Sequence, residues 1–103
     1  MKYVSLTEEE LHLIKKILNV PYDAIFFGSR VDGTNHKFSD VDLCLKGHRR
    51  IEGYDMQKIR EAFEESDLPY TIDLVDYDTL SSSFKKSVDE KGIPLNKCNP
   101  VDH

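Results

Sequence analysis

Three aspartates and a glycine-serine pair supply the residue types from which phosphate chemistry can be built. Asp40 and Asp42 stand two positions apart. On a strand that spacing puts both side chains on the same face, where two carboxylates can share a cation. Mg²⁺ suits such a site, since it takes hard oxygen ligands, commonly one or two carboxylates completed by substrate phosphates and water. Phosphoryl groups in transfer carry charge that protein donors alone neutralise poorly, which is why a metal is expected there. The spacing by itself carries little weight. Eleven of the 103 residues are Asp, enough for an Asp-x-Asp to arise by chance. Asp76-Tyr77-Asp78 has the same spacing between a strand and a helix, where capping or turn duty is ordinary.

Context gives Asp40 and Asp42 their meaning. Phe26-Phe27-Gly28-Ser29 closes an apolar run in a turn whose backbone N–H groups can face phosphate oxygens. Ten residues separate Ser29 from Asp40, so a phosphate cradle lies one loop away from a metal-binding strand. Asp73 adds a third carboxylate between Ile72 and Leu74. A charge inside an apolar strand is costly unless it is paired or ligates something; otherwise Asp73 lies on the wet face of a half-exposed strand.

The elements that must position these groups are legible in outline. Thr7 and Glu10 form a capping box, with Leu6 and Leu11 at the staple positions. Leu11, Ile14 and Leu18 then recur at helical spacing until Pro21 ends the segment near Asn19. Residues 23–27 read as a buried strand, and residues 28–38 as a turn, one helical turn at most, and a loop. Residues 39–45 alternate, with Val41, Leu43 and Leu45 opposite Asp40, Asp42 and Cys44. Residues 49–65 predict a helix with Ile51, Asp55, Ile59 and Phe63 in one row. Residues 70–75 predict a third strand. Asp78 is placed to cap a last helix that runs to about Glu90 and stops at Gly92. The tail from Ile93 gives no signal, and Asp76 is expected past the strand end. The order α-β-loop-β-α-β-α implies a single α/β (α+β) domain over residues 1–103, a small mixed sheet flanked by helices.

Composition excludes several classes. No apolar run approaches the ~20 residues of a membrane span, and the N-terminus has no signal-peptide pattern. Cys44 and Cys98 form no CxxC pair or Cys/His cluster, so a zinc site and a disulfide framework are not expected, and the reading is cytoplasmic with reduced thiols. Cys44 reads as a small buried thiol. His12, His36 and His48 lack ligand spacing and default to the surface. Lys46, His48, Arg49 and Arg50 form a short basic run, ordinarily a solvated turn. The net charge of −5 argues against direct binding to nucleic-acid backbone and leaves room for a basic protein partner.

Phe27-Gly28-Ser29-Arg30-Val31-Asp32-Gly33 followed by Ser39-Asp40-Val41-Asp42-Leu43 resembles the signature of the DNA polymerase β-like nucleotidyltransferase superfamily, and within it the minimal nucleotidyltransferases, or MNT domains. Asp73 in Thr71-Ile72-Asp73-Leu74-Val75 fits the third acid, and the similarity runs over roughly residues 10 to 95. The resemblance implies the polymerase β-like fold, with two Mg²⁺ ions held by Asp40, Asp42 and Asp73. Gly28, Ser29 and Arg30 would bind the triphosphate of ATP, Arg30 either compensating for nearby charge or bracing the turn. Asp73 would also help deprotonate an acceptor hydroxyl, which attacks the α-phosphorus and releases pyrophosphate. Asp32 departs from the pattern, standing where relatives commonly carry a basic residue.

A phosphatase of the haloacid-dehalogenase type would want Thr where Cys44 stands, a glycosyltransferase would need a far larger domain, and no P-loop follows Gly28-Ser29. Within these 103 residues no separate acceptor-binding domain is expected. The resemblance therefore implies a partner: a helical HEPN protein, toxin of a toxin–antitoxin pair, silenced when this chain attaches AMP to it. The alternatives are a non-catalytic antitoxin that neutralises its partner by covering it, and a subunit of an antibiotic adenylyltransferase.

Overall fold

The computed structural model describes residues 2–18, 22–33, 40–47 and 51–100, apart from the side chains of Lys2 and Asp32. Residues 34–38 of the expected loop, Ser39 at the start of the expected strand, the histidines at 36 and 48 and the basic pair at 49–50 lie outside that description, as does the orientation of Asp32.

Thr7 opens the first helix as its sequence predicts. Its side chain accepts from the Glu10 N–H at 3.1 Å, and the Glu10 carboxylate accepts from the Thr7 N–H at 2.9 Å. Helix α1 (Glu8–Ile17) then turns Leu11 and Ile14 into the core. Three strands follow the predicted order: β2 (Asp23–Phe27), β3 (Val41–Lys46) and β4 (Ile72–Asp76), preceded by a short β1 (Lys2–Val4). β2 and β3 are antiparallel, whereas β3 and β4 are parallel. A parallel pair needs a crossover, which helix α3 (Gly53–Glu64) supplies; a four-residue helix α2 (Ser29–Asp32) follows β2 directly.

The register aligns residues in rows across the sheet. Phe26, Leu43 and Leu74 face one another on one side, all buried, beneath Leu11, Ile14, Met56, Ile59 and Phe63 of α1 and α3. Asp55, predicted within the apolar row of α3, is accommodated by the Tyr22 hydroxyl, which donates to its Oδ2 at 2.7 Å. The next row, on the opposite face, is Phe27, Asp42 and Asp73.

The chain ends depart from the expectation. The tail folds back as β5 (Ile93–Pro94), antiparallel to β2, and β6 (Cys98–Pro100), parallel to β1. The main sheet runs β4-β3-β2-β5, and β1-β6 forms a separate pair. These strands are two or three residues long, too short for periodicity to reveal. Helix α4 (Ser82–Lys91) is capped by Ser81, whose hydroxyl accepts from the Phe84 N–H at 3.2 Å. Asp78 is not that cap: it lies in a single 3₁₀ turn. Asp76 is the last residue of β4 rather than beyond it, and its carboxylate accepts from the Asp78 N–H at 3.0 Å. No helix among the described residues is long and apolar enough to cross a membrane.

Candidate active site

The acidic row is assembled by strand pairing. Asp42 on β3 is the register partner of Asp73 on β4 and of Phe27 on β2. Asp42 is half-buried, whereas Asp40, just before the strand, and Asp73 are exposed. Burial pushes the Asp42 carboxyl above its ordinary range, and the neighbouring charges of Asp73 and Asp40 push it further the same way. Protonated Asp42 also donates a hydrogen bond to Asp73, which favours its neutral form. The cost of burying charge thus falls on Asp42, not on Asp73 as the flanking Ile72 and Leu74 suggest.

Gly28 makes this arrangement possible. Its φ of +80° lies in the left-handed region that disfavours side chains. A Cβ there would overlap the Asp42 carboxylate and sit 3.0 Å from its Cγ. The turn therefore lies directly against Asp42, and Ser29 begins α2 at the same point. The Val31 N–H closes this turn onto the Gly28 carbonyl at 3.1 Å, and the Ser29 backbone stands at the start of α2, one residue from the Gly28–Asp42 contact.

Among the described residues, no three carboxylates, imidazoles or thiols converge into a ready metal cage. Asp42 and Asp73 stand as a pair, with Asp40 close enough to repel Asp42 electrostatically. A pair of hard oxygen donors that must share a proton in the absence of a cation fits Mg²⁺, which needs only one or two protein carboxylates.

Arg30 is placed differently from the two residues before it. It is 4% exposed, its Nη1 donates to the Ser5 carbonyl at 2.6 Å, and its guanidinium stacks 3.8 Å from the Tyr70 ring centroid. The Arg30 carbonyl in turn accepts from the Ser5 N–H at 3.0 Å. Of the two roles the resemblance allows, this geometry is that of bracing: Arg30 ties the turn to β1 and to the segment before β4. Its partners are far along the chain, and no local pattern announces them.

Cys44 lies two residues beyond Asp42 on the same face and is fully buried. Burial, reinforced by the charges of Asp76 and Asp89, pushes its thiol up to about 11, so it is inert at neutral pH. Asp76 and Asp78, which share the two-residue spacing of Asp40 and Asp42, serve the turn instead.

Sequence reading missed the contribution of α4. Phe84 packs edge-on against Phe27, their ring centroids 5.6 Å apart. Between helix and turn lies a cavity of about 160 Å³, lined by Gly28, Val31, Ser87 and Lys91 among others. The one local signal for it is the basic residue in the last turn of α4.

The family described as polymerase beta, nucleotidyltransferase matches residues 7–100 of the chain. The probable protein adenylyltransferase MntA of Haemophilus influenzae is 39% identical over 88 residues, which cover 82% of this chain and 77% of that protein. Among solved structures, a toxin–antitoxin crystallised with AMP-PNP superposes with a TM-score of 0.69 at 25% identity, covering 82% of this chain and 71% of the other. A tri-AMPylated Shewanella oneidensis HEPN toxin in complex with MNT antitoxin gives a TM-score of 0.62 at 22% identity, over 85% and 70% of the two chains, a likeness of fold.

Proposed function

The chain belongs to the polymerase β-like nucleotidyltransferase family, and from that membership we propose that it transfers AMP from ATP to a hydroxyl on a partner HEPN protein, acting as the antitoxin of the pair. The observation that carries this reading is the Asp42–Asp73 pair with the Gly28 turn pressed against it. Kinship with MntA of H. influenzae supports protein as the acceptor, and the AMP-PNP-bound relative supports ATP as the donor.

In this reading Asp42 and Asp73, with Asp40 beside them, would hold two Mg²⁺ ions, which would supply positive charge to offset that of the phosphate oxygens. The Gly28–Ser29 backbone orients the β- and γ-phosphates. Arg30 keeps the turn in place from inside the fold, and so positions rather than binds. Asp73, exposed at the edge strand β4, accepts the proton of the incoming hydroxyl. The acceptor oxygen then bonds to the α-phosphorus, the bond from that phosphorus to the β-phosphate bridging oxygen breaks, and pyrophosphate leaves. Most of the rate comes from positioning and electrostatics, as is general for such transfers.

Rescue of growth tests the reading against a purely covering antitoxin. Cells expressing the HEPN partner should recover with the wild-type chain and not with the Asp40→Asn/Asp42→Asn double variant. Equal rescue by both would show that neutralisation needs contact alone.

A further inference from the structure

The charges around the site do not balance for a triphosphate. Asp42 lies against the phosphate turn with Asp73 paired beside it and Asp40 just before the strand, and Arg30, the nearest cation in sequence, is buried against Ser5 and Tyr70. Lys46 points at Asp89, 3.9 Å away, and lies over the Tyr77 ring. Lys91, by contrast, makes no ion pair among the described residues and lines the cavity whose wall includes Gly28. Its backbone is anchored there. Gly92, the next residue, packs so closely on β2 that a Cβ would come within 2.5 Å of Ile25 Cγ2 and 3.3 Å of the Phe26 carbonyl.

The cavity's size decides what it takes. At about 160 Å³ it is well below the ~300–1,000 Å³ of pockets that enclose a whole ligand. It suits one end of a nucleotide. The Phe27–Phe84 pair and Val88 make an apolar floor that strengthens any charge interaction above it, while Ser87 and Lys91 add a hydroxyl and an ammonium. Because Gly28 borders both the cavity and Asp42, a ligand with its α-phosphate at the acidic row can place its outer phosphates here.

We propose that Lys91 is the triphosphate-binding cation of this chain, its ammonium on α4 holding the terminal phosphates of ATP across the Gly28 turn. The proposal rests on the nucleotidyl-transfer reading above and assigns the phosphate end of that site. Lys91 is thereby the determinant that separates ATP from AMP, and it stabilises pyrophosphate as it departs.

Equilibrium binding of ATP and of AMP, each with Mg²⁺, tests this on the wild type, Lys91→Met, Lys91→Arg and Lys86→Met. A charge-assisted contact of this kind corresponds to about tenfold or more in affinity. Lys91→Met should therefore weaken ATP about tenfold and leave AMP unchanged, with Lys91→Arg recovering most of the loss and Lys86→Met showing none. Unchanged melting temperatures would separate this from misfolding. ATP binding unaffected by Lys91→Met would overturn the assignment, as would equal losses for ATP and AMP, which would place the nucleoside in the cavity. AMP transfer with Lys91-independent ATP binding sinks this inference alone. Lys91-dependent ATP binding without transfer sinks the transfer reading alone, and a wild type that binds no ATP overturns both.

Discussion

The two faces of the four-stranded sheet are built from alternate residues of the same strands, yet they obey opposite rules. On one face Phe26, Leu43 and Leu74 are sealed under α1 and α3, and every neighbour gains from burial. On the other, one residue along, Asp42 and Asp73 are set side by side and Asp42 is half-buried without a cation among its described neighbours. The first face supplies the stability that lets the second carry unfavourable charge. Sites of this kind tend to be functional.

That contrast is broken most strongly from the core side. Phe26→Ala removes a fully buried ring from the central row, and such truncations cost about 3–5 kcal/mol. In a domain of this size that is a large part of total stability, since ~5–15 kcal/mol is usual for a fold. Denaturant melts should show the midpoint collapse with transfer lost only because the fold is lost.

Gly28→Ala attacks the boundary between the faces. It forces a side chain into positive φ and into the Asp42 carboxylate, and strained positions of this kind cost about 1–3 kcal/mol. The chain should still fold, by circular dichroism, while AMP transfer disappears.

Asp42→Asn sharpens the contrast, because its stability effect should have the opposite sign. The folded chain holds the Asp42 proton at pH values where the unfolded chain has lost it. Stability of the metal-free protein therefore falls as pH rises from the ordinary carboxylate pKa through the raised folded value, and stays low above it. At neutral pH the Asp42→Asn substitution removes that deficit, so the metal-free variant should melt a few degrees higher than wild type. Mg²⁺ should raise the wild-type melting temperature and move the variant much less. A metal-free variant that melts lower than wild type at neutral pH would show that the acidic row is not strained.

The smallest effect is expected at the far end of the same face. Lys46 and Asp89 form an exposed ion pair at 3.9 Å, and such pairs contribute about 0–1 kcal/mol. Lys46→Met should leave both melting temperature and transfer within error, marking where the functional part of the face ends.

What the sequence made legible was whatever is local. The Thr7–Glu10 capping box and the Gly28-Ser29 turn are decided by residues within a few positions of one another, and each stands as read; β3 is found but shifted, beginning at Val41 so that Asp40 precedes it, and Cys44 is buried on the face expected to be polar. The β1–β6 pair and β5 were illegible because their partners lie at opposite ends of the chain or across the sheet, and two or three residues carry no period. The cap of α4 was misplaced because Asp78 and Ser81 are both good caps, and Asp76 had already drawn Asp78 into a turn. In the site, side-chain type pointed to Asp40, Asp42 and Asp73. Only the register reveals that Asp42 bears the burial and that Asp40 stands at the margin. Arg30 shows the same limit: a cation beside a phosphate turn reads as a ligand until the Ser5 carbonyl and Tyr70 are seen to occupy it.

Transfer of AMP by the acidic row to a protein is tested most directly by the intact mass of the HEPN partner, measured after incubation with this chain, Mg²⁺ and ATP. One or more added AMP units, absent with Asp40→Asn/Asp42→Asn, is the predicted result. An unmodified partner held in a stable complex with the wild-type chain would contradict it and leave neutralisation to binding.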